Sequence, residues 1–383
     1  MKNFIIFFSI VFIIYGLINY YIFIRGWQSI PKDSPVRTYY LIIFLILSLS
    51  YFAGRFLENR LPAGVCNIFI WVGAYWLALM VYLLLGVLIV DLLRLINYII
   101  GIFPLFINRN YSRTKEFTAI IILSVSVILV IAGRINALNP RIKTLNLKIP
   151  KKVESEKHLN IVIASDIHLG TLIGNGRLSY LVKKINSFNP DLVLLAGDIV
   201  DEDIGQVIKL NLGETLKKIK SKWGVYGITG NHEYIGGAEA AVNYLDKHGV
   251  IMLRDTAVKI NNSFYIVGRE DRSINQFARK KRKKLTEIMT EVDKSYPVIM
   301  MDHQPFGLDE AVENGIDLQL SGHTHHGQLW PFNYITKMIY EVSWGYKKKG
   351  NTHFYVSSGF GGWGPPIRLG SRTEIVNIKL DFE

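Results

Sequence analysis

Four long apolar stretches, all within the first 150 residues, constrain this chain more than any other feature. A helix needs about 20 mostly apolar residues to cross the hydrocarbon layer of a bilayer. FIIFFSIVFIIYGLINYYIFI, residues 4–24, meets that requirement between Lys2 and Arg25. Comparable stretches follow near 39–55, 65–90 and 117–133. The first is long and has no A-x-A processing pattern, so it reads as an uncleaved anchor rather than a signal peptide. The expected organisation is an all-α membrane domain of about four transmembrane helices over 1–135, followed by an α/β domain over 136–383. Roughly 230 residues is ample for one globular core.

The net charge of +13 divides along the same line. The first 150 residues hold 14 Lys and Arg against 4 Asp and Glu, while the rest hold 30 against 27. The basicity therefore belongs to segments flanking apolar helices, where it faces anionic lipid headgroups. It does not mark a nucleic-acid surface. Four spans return both termini to one side. With the amino terminus inside, Lys2, Arg55, Arg60, Arg134, Arg141, Lys143 and Lys148 face inward, against Arg25, Lys32, Arg37, Arg109, Arg113 and Lys115 outward. Seven against six does not decide the orientation; the expectation adopted is a multi-pass protein of the cell (inner) membrane with its carboxyl-terminal half in the cytoplasm. Beyond Val90, Asp91 and Arg94 are spaced to pair on one face among Leu92, Leu93, Leu95 and Ile96, which predicts an amphipathic extension along the interface. No charged cluster inside the spans suggests an ion path, which argues against a transporter. Cys66 is the single cysteine, so an intrachain disulfide and a CxxC metal site are both excluded.

From Thr144 the pattern becomes strand, turn, helix. TLNLKI alternates as a strand should. The later apolar strands are each followed by a polar motif: NIVIAS by Asp166-Ile-His168, LVLLA by Gly197-Asp198 and on to Asp201, VYGIT by Gly230-Asn231-His232-Glu233, VIMM by Asp302-His303-Gln304, and LQL by Ser321-Gly322-His323-Thr324-His325. Loops at the carboxyl ends of strands are where α/β folds build sites. Between them the spacing predicts helices over 177–188, 214–222, 238–248 and 285–294. Asp166, His168, Asp198, Asn231, His303, His323 and His325 make a seven-member oxygen and nitrogen donor set without thiolate. That is too many for one metal ion and suits two, with one carboxylate shared. Such a set favours manganese, with iron or zinc as alternatives, over magnesium or calcium.

DIHLG, GDIVD, GNHEY, HQP and GHTHHGQ together resemble the ordered motifs of the calcineurin-like metallophosphoesterase family. With SSGFGGWGPPIRLGSRTEI they are similar to its membrane-attached bacterial subgroup, which includes UDP-2,3-diacylglucosamine pyrophosphatase-type enzymes. The resemblance covers about 144–383 and implies a four-layer sandwich, two β-sheets flanked by helices. It assigns Asp166, His168, Asp198 and His325 to one divalent ion and Asp198, Asn231, His303 and His323 to the other. It further implies that His232 serves the leaving oxygen as catalytic acid, that Asp201 orients His232, and that a metal-bridging hydroxide attacks phosphorus. The function it implies is hydrolysis of a phosphodiester or pyrophosphate, the expected partners being membrane lipids and a lipid-linked substrate such as UDP-2,3-diacylglucosamine. The alternatives are a soluble nucleotide, a glycerophosphodiester or a phosphoprotein as substrate, and a non-catalytic membrane scaffold that keeps the fold.

The remaining signals concern the rim. The subgroup usually has glycine where His326 stands, and a histidine there is costly if its φ is positive. In an extended loop, residues two apart share a side, so His323 and His325 would face the metals and His326 away. His326 and Arg368 are the candidate substrate contacts. The run Arg279–Lys284 would open the helix after it and face solvent or anionic lipid. The aromatic stretch 328–346 reads as core or as a lid touching membrane. Asp271, in GRED, is not expected to ligate metal.

Overall fold

The structure is a computed structural model and describes residues 2–57, 60–151, 153 and 156–383. The side chain of Lys2, counted among the charges above, lies outside the described residues. The chain forms two compact units, 1–134 with 364–367, and 135–363 with 368–383.

The first unit is helical. Lys2–Ser29, Val36–Phe56, Ala63–Ile100 and Tyr111–Leu138 are its long helices, and each contains a stretch long and apolar enough to cross a membrane. Their apolar side chains point outward in numbers no aqueous surface tolerates; Ile13, Leu17, Ile68 and Ile128 are all exposed. Inward, Ile22, Phe44, Trp76 and Met80 pack together. Asn19 is buried among them and satisfied, accepting from Trp76 Nε1 at 3.0 Å and donating to the Tyr15 carbonyl at 2.8 Å. A methyl group at Gly73 would overlap the Tyr51 backbone, so glycine there lets the second and third helices approach closely.

One expectation is corrected here. The segment beyond Val90 is not a separate interfacial element but the last quarter of one unbroken 38-residue helix. Nothing between Val87 and Ile100 interrupts the hydrogen-bond ladder, and the helix stops only at Gly101, whose φ is 65°. Asp91 pairs with Arg94 at 3.4 Å as the spacing predicts, and with Arg25 at 2.6 Å.

The second unit holds two six-stranded mixed sheets flanked by helices. In the first, Arg141–Ile149 (β1) lies beside Glu374–Phe382 (β12), then His158–Ala164 (β2), Leu192–Leu195 (β3), Val225–Gly227 (β4) and Val250–Met252 (β5). In the second the order is Gly345–Lys349 (β10), Thr352–Val356 (β11), Leu318–Ser321 (β9), Val298–Met301 (β8), Phe264–Gly268 (β7) and Thr256–Ile260 (β6). The strands β2–β5 pair in parallel, as do β7, β8, β9 and β11. Both faces of these central strands are covered, which explains why they read as continuous apolar runs. Ile161 and Ile163 face the core between the sheets, while Val162 and Ala164 face the helices. In the other sheet Ile299 and Met301 meet that same central core, and Val298 and Met300 pack under helices. Burying each such Ile or Met contributes about 1.5–3 kcal/mol.

Two predicted helices are shorter than their spacing suggests. The first is Leu212–Leu216, and the second Leu285–Ile288, followed by a 3-10 turn to Glu291. Leu285, Ile288, Met289 and Val292 are nevertheless buried together. The run Arg279–Lys284 lies in neither a helix nor a strand, and Arg279 is left-handed at φ 55°. Arg282 within it grips Asp302 with both oxygens at 3.0 and 3.1 Å, so it braces the residue before His303.

Candidate metal centre

Each candidate donor stands just past the carboxyl end of a strand: Asp166 and His168 after β2, Asp198 after β3, Asn231 after β4, His303 after β8, and His323 and His325 after β9. The loops are laced to one another. Asp166 N donates to Gly197 O, His168 N to Asp198 O and Gly322 N to His303 O. Gly230 sits against Asp198, where an added methyl would overlap Oδ1. Five of the seven donors hold a positive φ: Asp166 at 51°, His168 at 53°, Asp198 at 50°, His323 at 70° and His325 at 46°. Left-handed non-glycine residues cost of order 1–3 kcal/mol each and gather at functional sites.

All seven side chains meet. Asp166, His168 and His325 can direct ligand atoms to one point, and Asp198, His303 and His323 to another; His168, Asp198 and His232 also converge. Asn231 Oδ1 lies 2.7 Å from His323 Nδ1. The remaining separations are 3.2 Å between His168 Nε2 and His325 Nε2, 3.3 Å between His325 Nε2 and Asp166 Oδ1, and 3.2 Å between His303 Nε2 and Asp198 Oδ2. Two donors about 2.1 Å from one cation stand roughly 3.0–3.4 Å apart, so this spacing suits shared ions.

The hydrogen bonds give a sharper test of fit. His303 Nδ1 meets the Ala196 carbonyl at 2.8 Å and must donate to it, which leaves a lone pair on Nε2 facing the Asp198 carboxylate. Two acceptors at that distance repel unless a cation or proton lies between them. Among the described residues, His303 Nε2 and Asp166 Oδ2 are buried without hydrogen-bond partners. Burial alone would push Asp198 up, yet His303, His232 and His168 hold it well below the usual carboxylate range. Burial lowers His323, aided by the neighbouring His303, and lowers His325 further with Arg368 beside it. Burial would lower His303, but Asp198 holds it well above the usual imidazole range. Charged carboxylates beside imidazoles form a donor set that fits two divalent cations, and binding them would displace the His303 proton.

His325 carries an unusual outer partner. Arg368 is 1% exposed and donates to His325 Nδ1 at 2.8 Å and to the His325 carbonyl at 2.9 Å. Its guanidinium thus braces a donor loop from behind and does not line the open side. His326 also turns away from the donors: it is buried, with Nδ1 3.1 Å from Ser343 Oγ and its ring against Trp344. Its φ is 47°. The loop is therefore not extended but coiled through left-handed residues, and it is that turn which separates His326 from its neighbours. The open side belongs to Asn231, His232 and His323, the partly accessible members of the cluster. His232 Nδ1 lies 3.1 Å from Asp201 Oδ1. Burial opposes a charge on His232, but Asp198 and Asp201 raise it to about 9. Asp271 places both oxygens on Gln304 Nε2, at 3.0 and 3.1 Å.

Sequence reasoning missed Glu233. Its carboxylate accepts from three backbone amides, Gly230 at 2.7 Å, Asp198 at 3.1 Å and Val200 at 2.8 Å, and so clamps two donor loops together. The signal was present: an acid three residues after the residue that opens a helix is half of a capping box. Burial, then the field of Asp198, raises it to about 7. Glu233→Gln would face an amide NH2 against a backbone N–H. We expect it to cost about 1–3 kcal/mol, read as a lower melting temperature of the full-length protein.

The sequence model of the family described as Calcineurin-like phosphoesterase matches residues 159–327. The chain is 30% identical to an uncharacterised metallophosphoesterase of Campylobacter jejuni over 98% of each chain. It is also 30% identical to a Danio rerio protein named transmembrane protein with metallophosphoesterase domain, covering 93% of this chain and 83% of that one. A Helicobacter pylori relative, an uncharacterised metallophosphoesterase, is 35% identical over 63% of this chain, and the match spans 64% of the relative's length.

Proposed function

We propose that this chain, which belongs to the calcineurin-like phosphoesterase family, is a membrane-anchored hydrolase of a phosphodiester or pyrophosphate. One observation carries the reading: Asp198 groups with His303 and His323 on one side and with His168 and His232 on the other, and His232 is backed by Asp201 at the open edge. Asp166, His168, Asp198 and His325 would hold one divalent ion, and Asp198, Asn231, His303 and His323 the other, manganese being the first choice. Two such ions supply Lewis acidity towards the phosphoryl oxygens and a water acidified at neutral pH. The chain's own residues do the rest. Asp201 fixes the His232 ring through Nδ1, and Nε2 then carries a proton to give to the departing oxygen. Glu233 keeps the Asp198 and Asn231 loops in register, and Arg368 does the same for His325.

The lipid-linked substrate is supported by the helix Phe332–Ile339. It leaves Ile335 and Met338 exposed, Met338 by 79%, and its end carries Tyr340, whose ring lies 6.1 Å from that of His323. An apolar surface thus leads to the donor cluster, which suits acyl chains attached to a phosphate. UDP-2,3-diacylglucosamine is one such substrate. The reading also includes the division at residue 135, an anchor of four spans, and a catalytic unit on the cytoplasmic side of the inner membrane. A reporter enzyme fused after Glu383 tests the orientation: activity of a periplasm-dependent reporter would overturn it.

The direct test offers full-length protein, loaded with Mn²⁺, a UDP-diacylglucosamine, a phospholipid, a glycerophosphodiester and a chromogenic phosphodiester. Turnover of none, with two metal ions measured per chain, would leave only the scaffold reading. Chelation is expected to abolish activity, and Mn²⁺ to restore it. Activity that survives chelation with the metal content at zero would contradict the dinuclear site.

A further inference from the structure

The apolar helical unit contains a feature that the phosphoesterase reading leaves unused. At the ends of its helices lies a cavity of about 610 Å³, within the range of small-ligand pockets. Lys32, Arg37, Arg94 and Lys115 line it together with Trp27 and Tyr111, and no carboxylate does. We propose that this cavity binds a phosphate anion, carried to it as the headgroup of an anionic phospholipid.

Two of the cations, Arg37 and Lys115, are held in place by groups that carry no charge. Arg37 donates from Nη2 to the carbonyls of Ile30 at 2.9 Å and Trp27 at 3.4 Å. Lys115 Nζ donates to the Gln28 carbonyl at 3.1 Å. Carbonyls fix a side chain's position but leave its charge uncompensated. Arg94 donates to Tyr111 Oη at 2.7 Å and lies 3.4 Å from Asp91, which sits closer to Arg25 at 2.6 Å. Asp33 and Glu116 adjoin Lys32 and Lys115 in sequence but do not line the cavity. Four cations around one space repel one another, and a doubly accepting anion relieves that repulsion.

The aromatic residues identify the source. The Arg37 guanidinium lies 4.9 Å from the centre of the Trp27 ring, and the Lys115 ammonium 5.4 Å from that of Tyr111. Trp and Tyr beside cations at the ends of membrane-length helices belong to the headgroup layer. Phosphates of lipids are concentrated there, and a guanidinium can pair with a phosphate through two parallel hydrogen bonds. The inference rests on the four helices being membrane spans, but not on catalysis. All the lining residues lie between 27 and 115, apart in sequence from every metal donor.

The test is native mass spectrometry of the full-length, delipidated protein in detergent. It is offered equal amounts of dioleoyl phosphatidylglycerol and dioleoyl phosphatidylcholine. Wild type is expected to retain one phosphatidylglycerol per chain in preference to phosphatidylcholine. Arg37→Gln combined with Lys115→Gln should weaken that retention about thirtyfold, the effect of two charges near a lipid surface. Arg109→Gln with Arg113→Gln removes the same charge outside the cavity and should leave retention close to wild type. Equal loss in both pairs would reduce the effect to general surface charge and overturn the proposal, as would equal retention of the two lipids. Inorganic phosphate that displaces the phosphatidylglycerol would support the anion site and assign its ligand to solution. A chain that purifies monodisperse without detergent would sink the span reading instead, a separate outcome. Metal content, measured on every variant, checks that the rest of the protein remains folded.

Discussion

Asp198→Asn is expected to lower phosphodiester turnover by roughly 10²–10³-fold or more, the scale on which a group stabilising charge at a reacting centre acts. Bound metal should fall from two ions per chain to one or none. Asp198 stands between the donor clusters with its side chain: Oδ2 lies 3.2 Å from His303 Nε2 and 3.8 Å from His168 Nε2. Oδ1 meanwhile accepts from the His232 backbone at 2.9 Å. An asparagine keeps the shape but loses the charge, and its NH2 group has to face either that N–H or the donors. The measurement is metal content alongside initial rate. Retention of two ions with turnover within tenfold of wild type would show that the clusters do not depend on a shared carboxylate. His323→Ala is a useful companion because the His323 side chain meets Asn231 and His303, while its backbone amide, which donates to Asp166 Oδ1, is kept. It should cost one ion while the other is kept.

How much of this was legible in the sequence depends on the range of the interactions concerned. The donors were legible because each follows a strand at a short, fixed distance, so that strand order and motif order carry the same information. The sheets were legible because successive residues such as Ile161 and Val162 are both apolar, as strands covered on both faces require. What escaped depends on contacts distant in sequence. Arg368 looked like a ligand for substrate beside flexible glycines, but 43 residues of separation bring it onto His325. Arg282 looked like one of several solvated cations until Asp302 was found beside it. His326 was expected to turn aside by the alternation of an extended loop. It does turn aside, but through a left-handed coil that no spacing rule contains. Helix ends failed for a related reason: Leu285, Ile288, Met289 and Val292 have helical spacing, yet Val292 has already left the helix at φ −104° and ψ 119°. Periodicity records which residues are buried, and it is less informative about the hydrogen bonds that end an element.

His232→Ala separates the proton donor from the metal donors, because its effect should depend on the leaving group. Against an alkyl phosphodiester, whose departing oxygen is strongly basic, the loss should reach about 10²–10⁴-fold, the usual span of general acid catalysis. Against a nitrophenyl ester, whose oxygen leaves as a stable anion, the same variant should lose much less. Metal content should stay near two ions, since His232 stands at the open edge and its Nδ1 is held by Asp201 at 3.1 Å. Asp201→Asn should follow the same leaving-group trend more weakly, because it removes the charge that supports the imidazolium but leaves the ring in place. Equal losses on both esters would rule out proton donation. They would assign His232 instead to the cluster it shares with His168 and Asp198, where its removal would act through the ions and be insensitive to the group that departs.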